Sequence, residues 1–178
     1  MSRLLLILLL ASAPLLAQTP TSPGQHKAPP STANDDKWLA QVSALQNRAH
    51  HILKAELSRK PGPACDKSQL YAKLSNAEYT RCVAADEVIT RHNYQAFVDA
   101  LAASLSIQDP DEDPQIYPLP SRNFAPAETA WRTYLDKTCA ALGDTYGGGT
   151  GRGAAMSECQ QGLTRQHMKD LDEIFLKR

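Results

Sequence analysis

The chain has 178 residues, of which 42% are apolar and only 6% are aromatic. This length suits one domain of ordinary size with tails, and the apolar share is sufficient for one packed core. The 19 Lys and Arg residues are balanced by 19 Asp and Glu residues. This balance argues against a nucleic-acid-binding protein, which usually carries a basic excess.

Residues 1–17 predict a secretory signal peptide. Arg3 supplies the positive charge, an unbroken apolar run covers Leu4–Leu10, and small residues follow up to Ala17. The apolar run is too short to span a bilayer, which needs about 20 apolar residues. We expect cleavage near Ala17 and a mature protein that is periplasmic or secreted, with no membrane span.

Residues 18–33 are rich in Pro, Ser and Thr and contain almost no large apolar side chains. Such a segment buries too little surface to offset the entropy lost on ordering. We therefore predict a disordered linker between the signal peptide and the folded part.

The folded part is predicted to be all-α. The remaining prolines fall in two clusters, so that three long blocks contain none: 31–60, 64–109 and 127–178. These blocks are rich in Ala, Leu, Lys, Glu and Gln, which favour helix. Apolar residues at steps of three and four predict core-facing helical stripes. The stripes are Trp38, Val42, Leu45, Ala49 and Ile52; Trp131, Tyr134, Leu135 and Leu142; and Leu163, His167, Leu171 and Ile174.

The middle block must contain a break if Cys65 and Cys82 pair. A continuous helix would separate Cys65 from Cys82 by about 25 Å, whereas a disulfide needs Cα atoms roughly 4.4–6.8 Å apart. Ser75 and Glu78 match a capping box. We therefore predict a short helix over 66–74 and a longer helix that begins near Asn76.

Four cysteines allow three connectivities. Cys65 and Cys82 flank the predicted turn at Ser75, and Cys139 and Cys159 flank the glycine-rich stretch 147–153. Local pairing, Cys65 with Cys82 and Cys139 with Cys159, is favoured because each pair lies on both sides of its own turn. The predicted architecture is a small disulfide-stapled bundle of antiparallel helical hairpins. A zinc or haem site is disfavoured because the chain has no C-x-x-C, and we expect no cofactor.

Three stretches also carry a family resemblance: Glu78-x-x-x-Cys82, Trp131-x-x-Tyr134-Leu135-Asp136-x-x-Cys139, and Cys159-x-x-x-Leu163-Thr164-x-x-His167-x-x-x-Leu171. In them the chain resembles the lysozyme inhibitor LprI N-terminal domain family of small exported bacterial helical proteins. The resemblance covers the region 64–178 and leaves 34–60 outside as an N-terminal helical extension. Leu135 and His167 stand where the family has arginines. The resemblance implies lysozyme inhibition, with the signature residues Glu78, Trp131, Tyr134, Asp136, Thr164 and His167 serving the fold.

His167 has two interpretations. In the first, the family's arginine pairs with a carboxylate such as Glu78, and a protonated His167 takes over that role. In the second, His167 is a packed, hydrogen-bonded imidazole, and this interpretation is preferred. Trp131 and Tyr134 are expected to lie in the core rather than to form a sugar-stacking platform.

Two loops are candidates for binding a partner. The first carries Asp109, Asp111, Glu112 and Asp113 and no basic residue, which would attract a cationic lysozyme. The second is the glycine-rich stretch with Arg152, which could enter a cleft. The alternatives are a solvated inter-helix loop and a flexible connector.

The sequence lacks the signals of an enzyme: it has no G-x-S-x-G and no H-E-x-x-H, and the cysteines are better used as bridges. We therefore predict an exported helical binding protein, and the resemblance implies that it inhibits lysozyme by occluding its cleft. The alternative is a structural or stress-related cell-envelope protein that binds cell-wall material or another exported protein through the 34–60 helix.

Overall fold

The computed structural model describes residues 33–62, 65–69 and 73–177. The predicted signal peptide and the predicted linker up to residue 32 lie outside the described residues. All regular elements of the described part are helical, which confirms the all-α prediction. They are α1 (Ala33–Ser58), a short 3-10 helix (Lys67–Gln69), α2 (Asn76–Leu105), α3 (Ser121–Asp144) and α4 (Arg152–Phe175).

The four long helices belong to one compact unit. Helices α2 and α4 pack side by side, α1 packs mainly against α2, and α3 packs mainly against α4. Consecutive helices run antiparallel, so α2 and α4 run parallel. The pairs Tyr79–Glu158 and Tyr94–His167 mark this parallel contact near its two ends.

The start of α2 agrees with the capping box. The Ser75 hydroxyl accepts the Glu78 N–H at 3.3 Å, and the Glu78 carboxylate accepts the Ser75 N–H at 2.9 Å. The helix predicted over 66–74 is wrong, because the described part of this segment holds only the 3-10 helix. One cause is local: the Asp66 carboxylate accepts both the N–H and the hydroxyl of Ser68, and such a turn competes with α-helix.

Both predicted disulfides are confirmed. Cys65 pairs with Cys82 at a Cα separation of 5.3 Å, and Cys139 pairs with Cys159 at 5.6 Å. The first ties the loop before α2 to that helix, and the second ties α3 to α4. Each bridge closes a loop of about 20 residues and stabilises the fold by about 3 kcal/mol.

The main core lies between the helices around Phe97, Leu101 and Met168, all fully buried. Its buried members come from every long helix: Ala49, Leu53, Tyr94, Phe97, Val98, Ala100, Leu101, Phe124, Met168 and Leu171. A smaller cluster of Tyr79, Val83 and Ala154 lies near the first disulfide.

The predicted stripes of α3 and α4 are partly wrong. Tyr134 is 57% exposed, and Leu142 and Ile174 are also exposed. The buried face of α3 instead carries Phe124, Glu128, Cys139 and Gly143, and that of α4 carries polar residues such as Gln161, Thr164 and Asp172. The predicted stripes used apolar residues alone. They therefore do not identify a buried helix face that carries charged and amide side chains.

Candidate interaction surface

The acidic loop that we define as residues 106–120 joins α2 to α3. Asp111, Glu112 and Asp113 are exposed and Asp109 is half-buried. The Asp111 N–H donates to Asp109 Oδ1 at 2.9 Å, and the Gln115 N–H donates to Asp113 Oδ1 at 2.8 Å. Two of the carboxylates therefore fold the loop locally, while each keeps lone pairs free for a partner.

The acidic loop also presents apolar surface, which sequence reasoning missed. Ile116 is 66% exposed and Tyr117 is 57% exposed. Their backbone N–H groups donate to the carbonyl of Asp113, which holds them in a turn directly after the carboxylates. The signal that could have found them is an adjacent apolar pair inside a loop that is otherwise polar and rich in proline.

The glycine-rich stretch forms the turn between α3 and α4. Gly147 has a φ of 57°, a conformation that glycine adopts without a steric cost. Arg152 is the first residue of α4, and its Nη2 donates to Asp144 Oδ1 at 2.7 Å. Arg152 thus pairs across the turn with an exposed aspartate, and its own side chain stays 48% exposed.

The two candidate loops lie at opposite ends of the bundle, because α3 runs from one to the other. The 24 residues of α3 span about 36 Å. A single small cleft cannot contact both loops at once. The structure therefore separates the acidic residues from Arg152.

A buried ionic network joins α1, α2 and α4. Glu56 is 0% exposed, and its carboxylate accepts bonds from Arg59, Thr90, Asn93 and Arg165 at 2.7–3.0 Å. Burial by itself would raise the pKa of Glu56, but these hydrogen bonds outweigh it and lower the pKa to about 2. Glu56 is therefore a carboxylate that fixes three helices against each other.

Asp86 completes this network from α2. It accepts a hydrogen bond from Arg59, and Arg165 Nη2 lies 3.6 Å from Asp86 Oδ2. The latter distance is within ion-pair range and beyond a hydrogen bond. Two arginines thus face two carboxylates, so the buried charges balance.

His167 pairs with Glu128 and not with Glu78. His167 Nε2 lies 2.9 Å from Glu128 Oε1, and the other carboxylate oxygen accepts the hydroxyl of Tyr94. The ring of His167 stacks on Trp131 at a centroid distance of 4.0 Å. Burial would raise the pKa of Glu128, but the bonds from His167 and Tyr94 outweigh it and lower the pKa. The predicted pairing with Glu78 is therefore wrong. His167 is packed and hydrogen-bonded, and the carboxylate that it meets is Glu128.

The other signature residues separate into two groups. Glu78 caps α2, Thr164 is buried, and Trp131 packs half-buried against the core. Tyr134 and Asp136 are exposed on α3, so the prediction that Tyr134 lies in the core is wrong.

Within the described ranges, no three His, Cys, Asp or Glu side chains are grouped so that they could hold a metal ion. None of the described helices is both long enough and apolar enough to cross a membrane. The two disulfides are typical of proteins from an oxidising, extracytoplasmic compartment.

Comparison of the chain with protein-family models, with curated proteins and with solved structures gives no match.

Proposed function

We propose that the chain is an exported helical binding protein that binds a cationic protein through the acidic loop. The observation that carries this proposal is the exposed pair Ile116 and Tyr117 beside the carboxylates of Asp111, Glu112 and Asp113. Both side chains are more than half exposed, so the loop presents apolar surface next to its carboxylates.

The two kinds of group have separate roles in this proposal. The carboxylates steer a cationic partner toward the loop over long range and raise the association rate. The tyrosine and isoleucine supply apolar area that is removed from water on contact, and tyrosine is among the residues that dominate interface energetics. Four prolines restrict the backbone of the loop, which lowers the entropy lost when it docks.

A lysozyme is the partner that the LprI-like resemblance implies. The predicted signal peptide and the two disulfides support a location outside the cytoplasm, where a lysozyme acts on the cell wall. The acidic loop lies at one end of the bundle, between two helices tied into the core. In this proposal the loop occludes the substrate cleft, and no catalytic group of the chain is needed.

The test is a cell-wall clearing assay with several lysozymes and the purified mature chain. We expect inhibition that weakens when Asp111→Asn, Glu112→Gln and Asp113→Asn are combined, and again with Tyr117→Ala. Added salt should weaken inhibition because the steering charges are exposed.

The matched control neutralises three exposed carboxylates elsewhere, Asp99→Asn, Asp170→Asn and Glu173→Gln. This variant has the same net charge as the loop variant and should retain inhibition. The inhibitor proposal is abandoned if a large molar excess of the wild-type chain slows none of the lysozymes. It also fails if the control and the loop variant lose activity equally.

The alternative proposal is a structural or stress-related envelope protein that binds cell-wall material or another exported protein through α1. Ala49, Leu53 and Glu56 of α1 are buried, so deleting the helix would remove part of the core. A point change on its outer face is the better test, and Leu39 is 49% exposed there. Loss of envelope binding in Leu39→Lys, with binding retained in the acidic-loop variant, would favour this alternative.

A further inference from the structure

The outer face of α2 is exposed to solvent. Seven exposed residues form this face as we define it: Arg81, Ala85, Val88, Ile89, His92, Gln95 and Asp99. Val88 is 53% exposed and Ile89 is 47% exposed, near the middle of the helix. The opposite face packs into the bundle through Val83, Thr90 and Phe97, which are buried. The two large apolar side chains of the outer face therefore lie on the outside of the bundle.

Six of the seven residues follow a heptad pattern. From Arg81 to Asp99 they are separated by alternate steps of four and three residues, and Ile89 lies next to the seam that they form. This spacing is that of the a and d positions, at which two long helices pack against each other. Arg132 of α3 touches the seam at Gln95, whose side-chain oxygen accepts its Nη2 at 2.6 Å, and all six residues stay exposed. The seam is therefore open to a further helix.

The two charges of the seam are placed symmetrically. Arg81 lies nine residues before Thr90, and Asp99 lies nine residues after it. Their separation of 18 residues is five full turns of α-helix, so both side chains lie on the same face. A second copy of α2 that packs antiparallel, with the two-fold axis beside Thr90, brings each Arg81 to Asp99 of the other copy. A parallel copy would bring like charges together, so the charges select the antiparallel arrangement.

The uncharged positions match in the same register. Val88 and His92 lie two residues on either side of Thr90, and Ala85 and Gln95 lie five residues on either side. In the antiparallel pair Val88 therefore meets His92 of the other copy, and the small Ala85 meets the longer Gln95. A two-fold contact between identical chains needs a surface that is complementary to itself in this way. This symmetry matches a second copy of the chain and would be coincidental in a contact with an unrelated partner.

Two further side chains lie beside the axis, one on each flank. Ile89 approaches Ile89 of the other copy, and their contact removes apolar surface from water. Arg91 approaches its own counterpart on the other flank. Each Arg91 carries its counter-charge with it, since Glu87 Oε2 lies 3.2 Å from its Nη2. The Arg91 side chain is 67% exposed, so it has room to point away from the axis.

We propose that the chain forms a homodimer in solution through the outer face of α2, packed antiparallel with the two-fold axis beside Thr90. The charge pairs at both ends fix the register, and Val88 and Ile89 supply the apolar area. The contact runs for about 27 Å along each helix. This length lies at the small end of specific interfaces, so we expect a dissociation constant on the order of 10–100 μM.

This dimer is independent of the lysozyme proposal. The acidic loop follows the last turn of α2, so that the antiparallel arrangement places the two loops at opposite ends of the dimer. Each loop stays free for a partner whether or not the chain dimerises. Failure of one proposal therefore leaves the other standing.

Sedimentation equilibrium of the full mature chain tests the proposal over concentrations that bracket the expected dissociation constant. Arg81→Glu places like charges at both ends of the contact and should weaken dimerisation more than about tenfold. Asp99→Arg should do the same. Both changes in one chain exchange the charges and should restore the dimer. An equimolar mixture of the two single variants should form a heterodimer, although each alone stays monomeric.

Ile89→Glu tests the apolar part, because it places two carboxylates across the axis and should also weaken the dimer. The matched controls on α1 are Arg48→Glu, at an exposed arginine, and Leu39→Glu, at a 49% exposed leucine. Both controls should dimerise like the wild-type chain.

The proposal is overturned if the wild-type chain stays monomeric over the whole range. It is also overturned if the chain dimerises and neither Arg81→Glu nor Ile89→Glu weakens the dimer, or if the α1 controls weaken it equally. An absence of rescue in both the double variant and the mixture would show that Arg81 and Asp99 do not meet, and would reject the antiparallel register.

Discussion

Replacing Glu56 by Gln tests the buried ionic network most directly. The change keeps the size of the side chain and removes one negative charge from a site that is 0% exposed. Arg59 and Arg165 are left with Asp86 as their only carboxylate in the network. The new amide NH₂ would also face hydrogen-bond donors such as Asn93, where an oxygen now accepts.

The expected loss of stability is about 3 kcal/mol. Removing one partner of a buried charge pair costs about 3–5 kcal/mol, because the opposite charge stays buried. The titration of Glu56 gives a second estimate. A pKa that falls from 4.5 to about 2 corresponds to roughly 3 kcal/mol, since a tenfold change in proton affinity is about 1.4 kcal/mol.

The sign of the pH dependence follows from this lowered pKa. A carboxyl whose folded-state pKa is depressed contributes its full stability above the pKa of the unfolded chain, near 4.5. That contribution is lost as the pH falls from about 5 towards 2. The wild-type chain should therefore lose about 3 kcal/mol more than Glu56→Gln over this window.

Urea denaturation followed by circular dichroism measures both effects, with the disulfides kept intact. At neutral pH the variant should lose about 3 kcal/mol, equivalent to about 6–12 °C in Tm. Glu112→Gln on the acidic loop is the matched control and should change stability by less than about 0.5 kcal/mol. A loss in Glu56→Gln below about 1 kcal/mol, or a parallel acid response of both chains, would refute the reasoning.

Three further predictions follow from particular contacts. In a double-mutant cycle, His167→Ala and Glu128→Ala should couple by about 1–3 kcal/mol in thermal denaturation, whereas His167→Ala and Glu78→Ala should be additive; additive losses in the first cycle would contradict the pairing. Gly143→Ala should destabilise by about 1–3 kcal/mol, because its Cβ would lie 2.6 Å from a methionine of α4. Gly162→Ala, where no atom lies within 4 Å, should instead gain about 0.5–1 kcal/mol, so equal effects would be inconsistent with this close approach. Serine at both cysteines of the α3–α4 disulfide should cost about 3 kcal/mol in urea, and an unchanged midpoint would show that the bridge adds no stability.

The buried polar residues explain how the bundle reaches one arrangement with few aromatic side chains. Glu56 of α1 meets Arg165 of α4, and Glu128 of α3 meets Tyr94 of α2 and His167 of α4. Each of these contacts requires a particular axial offset between helices. A shifted bundle would leave buried charges without partners, which is costly in a low-dielectric interior.

Local chemistry was sufficient for several features of this protein. Pro61 follows the end of α1 closely, and the pair Ser75 and Glu78 gave the first residue of α2. The limits of α3 were not marked in this way, because Pro126 and Gly143 both lie inside that helix. The disulfide pairing followed as well, because Cys139 and Cys159 lie on both sides of one turn. These features depend on residues near each other in the chain, so their geometry can be worked out without the fold.

Only the tertiary structure decided which face of each helix is buried and which carboxylate meets His167. Glu56, Glu128 and Asp172 are the kind of residues that a sequence pattern assigns to the surface, yet all three are buried. Each of them meets at least one partner 34–122 residues away, although Glu56 also accepts bonds from Arg59, three residues further along the chain. A charged side chain is buried at low cost only where other helices provide its counter-charges and hydrogen-bond partners. The spacing of residues along one helix does not show whether those partners will be present.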